Sequence, residues 1–128
     1  MEKTPAEKWK IIIHKYKKQC QNILKISNNV RYAGIINQYG RTLAGIVNPK
    51  LKPLLKSEQI KNEFFILSTL MSLRKDSANS VGKLEHVILQ HQKVTIVILQ
   101  KNNITYYVSI ERNAKNLNKI ISSMKKIV

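Results

Sequence analysis

The feature that most constrains this 128-residue chain is a set of three β-favouring segments in close order, Leu84–Gln92, Val94–Gln100 and Ile104–Glu111. They are separated only by the break at Gln92-Lys93 and the turn Lys101-Asn102-Asn103. Both connections are of hairpin length, so the segments form an antiparallel meander. The middle one, Val94–Leu99, is apolar on both sides apart from Thr95. A strand without a polar face needs cover above and below, which calls for helices on both faces of its sheet. In the last strand Ile104, Tyr106, Val108 and Ile110 share one face, while Thr105, Tyr107, Ser109 and Glu111 share the other.

The rest of the chain supplies those helices and two more strands. Thr4 to about Ile26 reads as a helix. Thr4 can cap it, Pro5 suits its first position and Glu7 completes a capping box. Trp9, Ile12, Ile13, Tyr16, Cys20, Ile23 and Leu24 recur at helical spacing, with lysines largely on the other side. Val30–Asn37 and Thr42–Asn48 form a hairpin through Gln38-Tyr39-Gly40-Arg41. Gly34 and Gly45 lie inside those strands, where a missing side chain permits close approach of a helix or another backbone. Pro49 and Pro53 keep the segment 48–56 out of regular pairing. Ser57 is the expected cap of a central helix carrying Ile60, Phe64, Leu67 and Met71 at helical spacing. After the polar stretch Arg74–Lys83 and the meander, Asn113 is the expected cap of a last helix, with Ala114, Leu117, Ile120, Ile121, Met124 and Val128 as its buried stripe.

Composition narrows the function classes. Apolar residues make up 43% of the chain, enough for a core, so a disordered basic tail is excluded. No apolar run approaches the roughly 20 residues needed to span a bilayer, so no membrane insertion is expected. The first residues carry no hydrophobic h-region, and Cys20 is the only cysteine, a pattern expected of a cytoplasmic protein. His14, His86 and His91 have no metal-ligand spacing, and no phosphate-binding glycine loop is present. Nothing in the spacing of the seven acidic residues suggests a catalytic carboxylate pair. The expectation is a non-enzymatic protein with no catalytic, cofactor or metal residues.

The element order is helix, two strands, helix, three strands, helix. With the opening hairpin Val30-Arg31-Tyr32-Ala33-Gly34-Ile35-Ile36-Asn37-Gln38-Tyr39-Gly40 and the apolar central helix, the sequence resembles the roadblock/dynein light chain family, of profilin-like and longin-like fold. The stretch Met71–Asp76 also looks similar to uncharacterised archaeal proteins of this type. The resemblance implies an α+β single domain over residues 1–128, a lysine-rich helix in 1–29 preceding a core in 30–128. It implies a five-stranded antiparallel sheet, the central helix on one face and the terminal helices on the other. It further implies homodimerisation through the central helix and a sheet edge, and a role in docking or regulating a small GTPase.

Two sets of candidate contact residues follow. The central helix is apolar around more of its circumference than one sheet contact requires, which predicts a second cover by a subunit partner over Phe64, Phe65, Leu67, Leu70 and Met71. The chain also holds 23 Lys+Arg against 7 Asp+Glu, a formal net charge of +16. Lys8, Lys10, Lys15, Lys17 and Lys18 on the first helix, with Lys50, Lys52 and Lys56 in the following loop, are candidate anion or nucleic-acid contacts. The alternative function is therefore a basic protein that holds nucleic-acid backbone without sequence preference. Lysine outnumbers arginine 19 to 4, and arginine is the better bidentate phosphate ligand. Codon composition alone can supply much of a lysine excess, so the charge by itself names no partner.

Overall fold

The strand that is apolar on both sides lies inside the sheet of the computed structural model, which describes residues 2–128. Met1 and the Ser57 side chain lie outside the described residues. The strands are β1 (Val30–Ile36), β2 (Thr42–Val47), β3 (Val87–Gln90), β4 (Val94–Lys101) and β5 (Ile104–Glu111). They form one sheet in the order β2-β1-β5-β4-β3, with every neighbouring pair antiparallel. The helices are α1 (Pro5–Leu24), α2 (Ser57–Arg74), the single turn α3 (Ala78–Val81) and α4 (Leu117–Ile127).

The alternation along β4 and β5 decides which helix goes where. Val97, Leu99, Tyr106, Val108 and Ile110 face a core closed by Cys20 and Ile23 of α1 and by Ile120, Ile121 and Met124 of α4. On the opposite face Ile96, Ile98 and Tyr107 meet Phe64, Leu67 and Met71 of α2. The expected α+β arrangement, with the central helix on one face and the terminal helices on the other, is the arrangement found. Tyr107 sits edge-on to both Phe64 and Tyr32, at centroid distances of 5.1 and 6.0 Å, so aromatic geometry adds to burial on the α2 side.

Local chemistry sets the element ends. Thr4 Oγ1 accepts from the Glu7 N–H and Glu7 Oε2 accepts from the Thr4 N–H, each at 3.2 Å, which is the expected capping box. The β4–β5 turn places Asn102 and Asn103 at φ 53° and 67°, conformations that asparagine tolerates better than other side chains do.

Four expectations are corrected. The central helix has Lys56 rather than Ser57 at its cap position, Ser57 being its first helical residue. The last helix begins at Leu117 with Asn116 at the cap position; residues 112–116 turn first, Ala114 N–H bonding Glu111 O at 3.1 Å. That turn carries the chain from the end of β5 up to the α1 layer, so Asn113 is spent before the helix starts. The third strand starts at Val87 rather than Leu84. Within the polar stretch 74–83, a 3-10 turn at Lys75–Ser77 and the α3 turn at Ala78–Val81 prolong the helical path beyond α2.

Candidate protein-interaction surface

The side chains of α2 divide by position along a single helix. Phe64, Leu67 and Met71, at three- and four-residue spacing, are 1%, 3% and 1% exposed and lie against the protein's own sheet. Phe65, Ile66 and Leu73 are 65%, 64% and 63% exposed, and Leu70 is at the edge of burial at 36%. Residues 65, 66, 69, 70 and 73 fall on one outward stripe at helical spacing. Thr69 is the one polar member, and its hydroxyl is turned inward to Phe65 O at 3.0 Å. Of the five residues expected at a subunit interface, the structure thus gives three to the intrachain core and leaves Phe65 and Leu70 outside. Ile66 and Leu73 join them, and sequence reasoning missed Ile66. Its signal was present: an unbroken Phe64-Phe65-Ile66-Leu67 run cannot all face one sheet.

The β1–β2 turn packs against α2 at the start of this stripe. Gly40, in the β1–β2 turn, has φ +82°, and a Cβ built there would stand 3.0 Å from Phe65 Cα. The turn therefore abuts the α2 backbone directly beneath the exposed Phe65. At the other end of the same hairpin, Arg31 pairs with Glu111 at 2.5 Å and donates through Nη2 to Lys52 O at 2.8 Å. This ties the 48–56 loop to the sheet. Between that loop and the sheet is a small apolar cavity lined by Tyr32, Val47, Leu51, Leu54, Ile60 and Tyr107.

Gly34 and Gly45 face each other across β1 and β2. What approaches them is neither a helix nor another backbone, as the sequence suggested, but the Tyr32 ring: its Oη would be 2.6 Å from a Cβ at either glycine. Burial pushes the Tyr32 phenol up to about 12, and the Cys20 thiol up to about 11. Tyr107 is pushed higher still by burial and by Glu63, whose Oε1 accepts its hydroxyl at 3.2 Å. These groups remain protonated at neutral pH. Among the described residues, no group of three or more His, Cys, Asp or Glu side chains is placed to hold a metal ion.

The eight candidate anion-contact lysines are all exposed, but they are not one patch. Lys50 borders a cavity shared with Gln21, Leu24 and Lys25 at the C-terminal end of α1. Lys8 lies 16 residues before Leu24, about 24 Å away along the helix axis. Lys56 sits at the start of α2, where its backbone N–H bonds Gln59 Oε1 at 2.8 Å. No described helix is long and apolar enough to cross a membrane.

The backbone arrangement was compared with known proteins. A Roadblock/LC7 domain from Streptomyces avermitilis superposes with a TM-score of 0.68 at 11% identity, over 87% of this chain and 89% of that one. The chain has the roadblock/LC7 fold. The gliding protein MglB from Thermus thermophilus shares that fold with a TM-score of 0.73 at 13% identity, over 90% of this chain and 84% of its own. An MglB with a tetrameric arrangement gives a TM-score of 0.71 at 14% identity, over 99% of this chain and 87% of its own. No sequence-family model and no curated protein sequence matches the chain. In this roadblock/LC7 fold α2 presents Phe65, Ile66, Leu70 and Leu73 as one exposed apolar stripe.

Proposed function

We infer that the protein is a non-enzymatic interaction module that forms a homodimer and docks a protein partner, a small GTPase by its resemblance to roadblock domains. The observation that carries this reading is the outward stripe of Phe65, Ile66, Leu70 and Leu73 on α2. Monomeric proteins rarely leave contiguous apolar surface of this kind in water. A second copy covering it through a two-fold axis would pair the same stripe with itself, as symmetric interfaces do. The tetrameric arrangement of one MglB gives a precedent for assembly by this fold.

The test is the mass in solution. Light scattering of the wild-type protein at micromolar concentration should give a dimer. Phe65→Asp should give a folded monomer, because a charge buried unpaired at an interface costs several kcal/mol. A wild-type protein that remains monomeric sinks the reading. The GTPase half is tested by what co-purifies after nuclease treatment and high-salt washing: a retained GTPase supports docking, and the loss of all partners with nuclease favours the nucleic-acid alternative. That alternative draws on one observation, the exposure of all eight candidate lysines.

A further inference from the structure

The first half of α1 is used by neither the core nor the α2 stripe. Residues 2–12 are all exposed, and burial begins only around Ile13 and Tyr16. The helix is anchored from there on: Cys20 and Ile23 are 0% and 1% exposed, and Gln19 accepts the Tyr106 hydroxyl at 3.0 Å and donates to Ile127 O at 3.3 Å. Pro5–Ile12 therefore project as a bare helical rod of about 12 Å. The rod continues the apolar face of the buried half, yet Trp9 is 54% and Ile12 41% exposed. Helical spacing places Ile12 between Lys8 and Lys15, and Ile13 between Lys10 and Lys17. The acidic residues on this segment are Glu2 and Glu7, and Glu7 is engaged in the capping box.

We propose that the projecting half of α1 is a membrane-surface contact that lies in the headgroup region of an anionic bilayer. Three features select this occupant. An apolar stripe bordered on both sides by lysines matches an interface where Trp and Ile enter the acyl boundary and ammonium groups reach back to phosphates. Tryptophan is the side chain most at home at that depth. A second copy of the chain is disfavoured, because the bordering lysines would face lysines. A nucleic-acid backbone would satisfy the lysines but leave Trp9 and Ile12 in water. The contact is peripheral and distinct from spanning, and it is independent of the α2 reading because it uses the opposite face of the sheet.

Trp9 is the only tryptophan, so its emission reports from within the stripe. The full chain is mixed, at physiological salt, with vesicles of phosphatidylcholine alone or of equimolar phosphatidylcholine and phosphatidylglycerol. The expected result is co-sedimentation with the anionic vesicles only, with Trp9 emission moving to shorter wavelength and quenched by acyl-brominated lipid. Lys15→Gln should lower partitioning about fivefold. Ile12→Ser should lower it roughly threefold to tenfold while keeping the reporter. Both residues are exposed, so circular dichroism should match wild type. No partitioning onto anionic vesicles overturns the proposal, and so does partitioning with unchanged Trp9 emission. It is equally overturned if Lys15→Gln weakens binding to vesicles and to duplex DNA alike while Ile12→Ser alters neither, for that is attraction to phosphate alone.

Discussion

Cys20 shows how one buried group makes stability depend on pH. Its thiol ionises near 9 in the unfolded chain but near 11 in the folded one, because burial penalises the thiolate. Between those values the unfolded state holds fewer protons, so stability is full below pH 9 and falls as pH rises through the folded value. Tyr32 adds the same sign between 10 and about 12. Thermal melts should therefore show Tm falling from pH 9 to pH 11, with a shallower fall in Cys20→Ala. A Tm that holds or rises over that window contradicts the assignment. The same burial should keep the native thiol silent to an alkylating reagent at neutral pH until denaturant is added. The sequence placed Cys20 on an apolar face, so its burial was legible. The Tyr32 ring lying over Gly34 and Gly45 was not, because the pairing of the two glycines is a matter of register between strands.

At the scale of elements, the β1–β2 turn and α2 meet at Gly40, and this contact carries its own prediction. An alanine there would adopt a left-handed backbone and push its methyl group to 3.0 Å from Phe65 Cα. Gly40→Ala should destabilise the fold by about 2 kcal/mol, seen as a lower urea midpoint with unchanged slope. An unchanged midpoint would show that turn and helix can part without cost. The glycine's left-handed role was readable from the turn chemistry, but its contact with α2 was not, since the two are more than twenty residues apart. Helix faces and strand alternation were legible because they repeat at fixed periods. Ends were less so: Leu84 and Asn113 fit the local pattern, yet the chain there is turning between layers. The buried side of α2 was legible too, since Ile60, Phe64, Leu67 and Met71 stand at helical spacing; that the sheet leaves Phe65, Ile66, Leu70 and Leu73 outside needed the fold in place, because their apolar character alone names no exposed side.

For the whole molecule, the net charge of +16 dominates encounters with anything anionic. Duplex binding should lose affinity with salt at a log–log slope near −0.9 per phosphate neutralised, equally for every duplex sequence, and fade near physiological salt. Submicromolar, sequence-discriminating binding at that salt would instead promote nucleic acid to the main partner. The strand order β2-β1-β5-β4-β3 leaves β2 and β3 as outer strands, each with one row of backbone groups not paired within the sheet. A sheet with two such rims is bivalent. Like-with-like pairing at one rim closes after a single step and consumes that rim in both copies, whereas β2 of one copy meeting β3 of the next has no natural end. The positive charge, repelling every approaching copy, then acts as the governor that lets only contacts with enough apolar cover go to completion. Adding salt loosens that governor and raises the risk of open-ended growth.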